Sequence, residues 1–180
     1  MSSTTTLELR YSPNGRCAEK VVEIIDETRS MIRAMVYNAT LEEISAALVR
    51  ARNRAVDIRM VLDKRSTFRD QAKFKDKLTA AGIEVRLYGS GFLMHHKVGI
   101  FDGRVVTTGS FNWTKGGQEK NNENLVTISN NAEIAGAYTQ IFDEIWERAS
   151  PEGRFARIRR FGRFLLTFLP ISGRYYPAHQ

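Results

Sequence analysis

A chain of 180 residues is long enough to bury one sizeable core and too short for two catalytic domains of ordinary size. Its 27 Lys+Arg against 20 Asp+Glu leave a formal charge of +7, which favours nucleic acid or an anionic membrane surface as partner over anything acidic-binding. The one cysteine, Cys17, excludes an intramolecular disulfide, gives an oxidising compartment no support, and reads as an inert thiol.

The first dozen residues carry neither the basic nor the apolar region of a secretory signal, so a cytoplasmic protein is expected. Residues 7–11 (LELRY) alternate as a strand does, and Ser12-Pro13-Asn14-Gly15 reads as the turn that ends it. Ala18, Val21, Val22, Ile24, Ile25 and Thr28 fall at helical spacing, predicting a helix that ends near Ser30. Residues 31–37 (MIRAMVY) read as a buried strand. Thr40 with Glu43 three places on fits a capping box, opening a helix whose Leu41, Ile44, Leu48 and Ala51 share one face. Residues 55–63 form the next expected strand, with Lys64 and Arg65 at its C-terminal end, where open α/β sheets place ligands; both are candidate phosphate contacts. A third amphipathic helix is predicted over 68–81 with Gly82 at its C-terminal position, then a strand over 83–88 and a flexible Gly89-Ser90-Gly91 loop.

The stretch 95–123, HHKVGIFDGRVVTTGSFNWTKGGQEKNNE, concentrates the chemistry. Residues 98–101 and 105–108 are β-branched or aromatic runs, and Asp102-Gly103 between them is a strong hairpin turn signal. Side chains alternate faces along a strand, so His95 and Lys97 share one side, His96 and Val98 the other, where His96 is expected to be packed. The same rule pairs Ser110 with Asn112. An imidazole, an ammonium, a hydroxyl and a carboxamide then converge on one point, a set suited to a phosphodiester. Imidazole is a competent nucleophile or general acid/base near neutrality, and Lys97 and Asn112 supply donors for oxygens whose charge grows in the transition state. No metal or other cofactor is required, because the local residues lack the dense carboxylate or Cys/His spacing of a metal centre. Residues 114–118, including Lys115, read as a loop beside the site and make Lys115 a further candidate substrate contact. A strand over 125–128 and a helix over 132–149, with Ile134, Tyr138, Ile141, Phe142, Ile145 and Trp146 as its stripe, complete the body. The alternation of strands and helices followed by a hairpin predicts an α/β/α sandwich with a mixed sheet.

His95-x-Lys97-x4-Asp102-x6-Gly109-Ser110-x-Asn112 resembles the HKD signature of the phospholipase D superfamily, and Asn121-Asn122-Glu123-Asn124 resembles the NxEN segment that follows it. The order of elements looks like the small single-motif branch of Nuc- and Zucchini-type endonucleases. Only one motif is present, so the resemblance implies a homodimer with the active site at the interface and the two His95 residues facing each other. It implies that one His95 forms a phosphohistidine while the other acts as general acid and base. Lys97 and Asn112 then hold the phosphoryl oxygens, Ser110 supports them, and Glu123 orients the His95 ring. It assigns Asp102 and Gly109 structural roles. The implied activity is a metal-independent phosphodiesterase acting on nucleic acid, DNA ahead of RNA. The alternative is a phospholipid hydrolase of the same chemistry at an anionic membrane.

The resemblance covers residues 1–150 as the catalytic domain. Residues 151–180 form a basic tail with six Arg and one Glu, in which Arg alternates with aromatic and aliphatic residues. That pattern predicts an amphipathic helix for an anionic membrane, a nucleic-acid backbone, or a docking face on the body. His179 lies near the end of this tail and is a poor catalytic candidate, leaving one usable histidine per chain.

Overall fold

The structure, a computed structural model, describes residues 4–66, 69–89 and 91–151. In chain order the elements are β1 (Thr6–Ser12), α1 (Cys17–Glu27), β2 (Met31–Val36), α2 (Glu42–Asn53) and β3 (Asp57–Asp63). A 3-10 turn (Lys64–Ser66) leads to α3 (Arg69–Ala80), β4 (Glu84–Tyr88), β5 (Lys97–Phe101), β6 (Val105–Gly109) and α4 (Lys115–Glu119). β7 (Glu123–Ser129), α5 (Ala132–Arg148) and β8 (Ser150–Pro151) close the described chain. One sheet holds all the strands in the order β1-β7-β6-β5-β2-β3-β4-β8. β2, β3 and β4 are parallel, and the remaining pairs are antiparallel, so the sheet is mixed as expected.

Strand alternation divides the core into two layers. Ile32, Ala34, Val36, Met60, Leu62 and Phe101 pack with the apolar stripes of α1, α2 and α3 on one face. Met35, Val61, Val98, Ile100 and Val106 pack under Phe142 and Trp146 of α5 on the other. Burying an aromatic of that size contributes about 1.5–3 kcal/mol, which is why a single helix can cover that face of the central strands. The predicted stripe of α5 is in place, and its start is capped by the Asn131 side chain, which accepts from the Ile134 N–H at 2.8 Å.

The hairpin forms where Asp102-Gly103 places it. Both turn residues have positive φ, 49° and 63°, as a two-residue turn compatible with strand twist requires. The Asp102 carboxylate also accepts hydrogen bonds from the N–H groups of Arg29, Ser30 and Met31 and from the Ser30 hydroxyl. It ties the β5–β6 turn to the entrance of β2.

Several local expectations give way to tertiary contacts. α1 ends at Glu27, three residues before Ser30, because Thr28 turns extended and its hydroxyl donates back to the Ile24 carbonyl. The Thr40 capping box does not form. α2 starts at Glu42 with Leu41 as N-cap and no side-chain cap, because the N–H groups of Thr40 and Leu41 both donate to the Trp113 carbonyl, at 2.8 and 3.0 Å. β3 begins at Asp57, since Ala55 takes a positive φ of 66°. Most of the loop expected over 114–118 is instead a short helix, Lys115–Glu119: Thr114 caps it by accepting the Gly117 N–H, and Gly117 is buried where a Cβ would meet the Asn112 carbonyl at 2.6 Å. Phe68, Ser90 and the tail from residue 152, with His179, lie outside the described residues.

Candidate active site

Strand direction brings one edge of the sheet into use. The C-terminal ends of β2 and β6 and the N-terminal ends of β5 and β7 lie together, because β2 and β5, β5 and β6, and β6 and β7 are each antiparallel. Lys97 opens β5 opposite Val36, and the Tyr37 N–H donates to the His96 carbonyl at 2.8 Å, extending that pairing by one step. His95 lies just before the strand and is exposed, on the Lys97 side. His96 departs from expectation: it is exposed, because it precedes the strand run Lys97–Phe101 that the two layers bury. Its pKa is lowered by desolvation and by the neighbouring Lys97 and His95 charges.

After β6 the chain is held by alternation. Phe111 and Trp113 are fully buried, which turns Ser110 and Asn112 toward the cleft. Gly109 sits so close to β7 that a Cβ would lie 2.2 Å from the Asn124 carbonyl oxygen, so no larger residue fits there. The Ser110 N–H donates to that carbonyl at 3.0 Å, and the Ser110 hydroxyl accepts the Asn124 N–H at 3.0 Å. Ser110 is thus the staple between the two halves of the motif. Asn112 Oδ1 is buried without a hydrogen-bond partner among the described residues, a polar atom with its capacity unspent.

Lys97 is 7% exposed. Burial lowers its pKa, and the Glu123 carboxylate works against that shift. Its Nζ donates to the His95 carbonyl at 2.8 Å and lies 5.2 Å from the centre of the Tyr37 ring. Glu123 opens β7 and accepts from Asn121 Nδ2 at 2.9 Å. The expected bond from Glu123 to the His95 ring is not made within the chain, and among the described residues the imidazole makes no hydrogen bond. What the ring does touch is Tyr37, at 4.6 Å between centroids and a tilt of 55°.

His95, Lys97, Gly109, Ser110, Asn112, Glu123 and Asn124 line one open cleft of about 540 Å³. All five residues read as catalytic from the motif therefore meet. Asp102 lies at the other end of the hairpin, lining a small recess with Ile24, Glu27 and Thr28. Lys64, Arg65 and Lys115 do not line the cleft. Arg65 donates to the Gly91 carbonyl, Lys64 packs beneath Gly89, and Lys115 lies 3.9 Å from Glu119. Sequence reasoning missed Tyr37, which carried no motif signal, and Asn124, whose place in the NxEN segment was available as one. Cys17 is buried, and burial together with Glu19 pushes its pKa up to about 11, in keeping with an inert thiol.

Such a constellation offers a nucleophilic imidazole, a desolvated cation and amide groups around a volume open to a polymer or a head group. The family model described as cardiolipin synthase, PLD-like domain, matches residues 21–146. The mitochondrial cardiolipin hydrolase of Chlamydomonas reinhardtii is 31% identical over 141 residues, covering 76% of this chain and 60% of that protein. A phospholipase D of Rickettsia bellii is 34% identical over 130 residues, covering 72% of this chain and 64% of that protein. This chain thus spans less than two thirds of either curated relative. Among solved structures, Nuc from Salmonella typhimurium, a phospholipase D family member, superposes with a TM-score of 0.79 at 34% identity, covering 82% of this chain and 97% of that one.

Proposed function

This chain belongs to the phospholipase D superfamily, and from that premise we propose that it is a phosphodiesterase that hydrolyses nucleic-acid backbones without a metal, through a phosphohistidine at His95. The observation that carries the reading is the convergence of His95, Lys97, Ser110, Asn112 and Glu123 on one open cleft at a sheet edge. A His95 nitrogen attacks phosphorus and the P–O bond to the leaving oxygen breaks, while a second imidazole gives that oxygen its proton. The second imidazole then takes a proton from water, the hydroxide attacks phosphorus, and the P–N bond breaks to restore His95. Lys97 and Asn112 stabilise the charge on the non-bridging oxygens. Among the described residues no group of three or more His, Cys, Asp or Glu is placed to hold a metal ion. The resemblance to Nuc over nearly its whole length supports nucleic acid as substrate.

The second imidazole comes from a second copy of the chain. Leu7, Leu9 and Tyr11 are 72%, 66% and 61% exposed along β1. They pair in register with Ile128, Val126 and Asn124 of β7, on the face that α5 covers over β6. This apolar strip runs up to Asn124, a cleft residue, so a two-fold contact along it brings two clefts close together.

Cleavage of plasmid DNA and of single-stranded DNA and RNA in excess EDTA is the test, with His95→Ala alongside. Cutting in EDTA with at least a ~10³-fold loss in the mutant is expected, as for removal of a covalent nucleophile. Cutting that survives the mutation sinks the mechanism.

One observation favours a lipid substrate instead. Phe92 is 90% and Leu93 51% exposed on the loop that leads into His95, and Arg65 is anchored to that loop at the Gly91 carbonyl. Exposed apolar side chains beside a cation are what an anionic bilayer surface accepts. Release of phosphatidic acid from anionic vesicles, lost in Phe92→Ser/Leu93→Ser, supports that reading; unchanged nucleic-acid cleavage with no lipid turnover rejects it.

A further inference from the structure

Among the described residues, Tyr37 is the aromatic ring in contact with both His95 and Lys97. Its ring lies against the His95 imidazole at 4.6 Å and a tilt of 55°, and the Lys97 ammonium stands 5.2 Å from its centroid. Tyr37 is also held where it stands. Its N–H donates to the His96 carbonyl at 2.8 Å, the Trp113 N–H donates to the carbonyl of the next residue, Asn38, at 3.1 Å, and Thr40 and Leu41 donate to the Trp113 carbonyl. Residues 37–41 are therefore a clasp joining the His95–Lys97 segment to the loop that carries Asn112. From this geometry we propose that Tyr37 is a positioning residue for hydrolysis, its ring face fixing the His95 imidazole for attack and seating the Lys97 ammonium beside it.

The physical need for such a wall is specific to this site. The His95 imidazole makes no hydrogen bond among the described residues, so the Tyr37 ring contact is the restraint on its rotation that those residues supply. Lys97 is buried, and its Nζ donates to the His95 carbonyl at 2.8 Å. An aromatic face supplies the ammonium with electrostatic compensation that an aliphatic side chain of similar size does not. The hydroxyl of Tyr37 takes no part in this, so phenylalanine should serve and leucine should not.

The inference rests on the phosphodiesterase reading, and its test separates the two. In the purified protein, Tyr37→Leu is expected to lower kcat about 10²-fold while KM changes less than about threefold, the mark of a misaligned nucleophile rather than lost binding. Tyr37→Phe is expected to restore kcat to within about threefold of the unsubstituted protein. In NMR spectra of the unsubstituted protein, cross-relaxation between the Tyr37 ring protons and the His95 ring proton is expected, along with a ring-current shift of the latter that vanishes in Tyr37→Leu. Tyr37→Leu with full kcat overturns the proposal, and so does Tyr37→Phe as damaged as leucine. A missing cross-peak overturns it without any variant having to fold. If the protein hydrolyses neither nucleic acid nor phospholipid, the functional reading fails, and the NMR contact still decides whether Tyr37 holds His95.

Discussion

At the scale of single residues, the site is defined by what each side chain gives up. Lys97 is buried between the sheet and the cleft, and desolvation makes its ammonium easier to neutralise than the ordinary 10.5 of a lysine, with only Glu123 opposing. Between the lowered value and 10.5 the folded chain binds fewer protons than the unfolded one, so stability rises with pH across that window. Under the proposed mechanism activity runs the other way, because there the ammonium holds the phosphoryl oxygens. Glu123→Gln removes the opposing carboxylate, and the alkaline limb of kcat/KM is expected to move to lower pH in this variant. A limb that stays in place under that substitution shows that another group sets it. The motif made Lys97 and Glu123 legible from sequence. Their coupling was not legible, since it depends on β5 and β7 both starting at one sheet edge.

At the scale of elements, the hairpin is the part on which the site is built. Asp102 has no role at the cleft; it accepts four hydrogen bonds that lock the β5–β6 turn onto the start of β2. Although burial raises its pKa, the bonds from Arg29, Ser30 and Met31 hold the carboxyl below the ordinary 3.8. Its contribution is therefore complete above 3.8 and lost as pH falls through the lower folded value. Asp102→Ala is expected to cost about 1–2 kcal/mol in chemical denaturation, from the loss of several hydrogen bonds to a charged carboxylate, most of whose donors can turn to water. Activity per folded molecule should fall far less than in His95→Ala. A loss of activity with no loss of stability in Asp102→Ala would give this residue a chemical part it lacks here. The Asp-Gly turn was readable because its conformational demand is local. The start of α2 was not, because the Trp113 carbonyl, far along the chain, takes the Thr40 N–H that the Glu43 side chain was expected to accept.

At the scale of the whole molecule, one cleft with one histidine is half of the proposed mechanism. The exposed strip of Leu7, Leu9 and Tyr11 beside α5 is where the second half is expected to dock. Leu9→Asp places a charge in the middle of that strip without touching the core, since Leu9 is already 66% exposed in the single chain. Sedimentation is expected to show two chains per particle for the unsubstituted protein and one for Leu9→Asp. Hydrolysis should fall with the loss of the dimer while the melting of the single chain is little changed. A monomeric Leu9→Asp that keeps full activity would mean that one chain suffices and that the second imidazole is not needed.

By itself the sequence determined the order of the main strands and helices, the hairpin and the membership of the motif, because each of these rests on periodicity, turn chemistry or spacing within a few residues. It placed His95 with Lys97 and Ser110 with Asn112 by strand alternation alone. Only the tertiary structure decided that α4 forms, since its cap at Thr114 succeeds through the burial of Gly117 against Asn112. Only the structure left His96 exposed and set Tyr37 against His95. These outcomes turn on which strands become neighbours and in which direction they run. Strand order is set by the burial of two apolar layers across the whole sheet, a quantity that no local stretch of the chain contains.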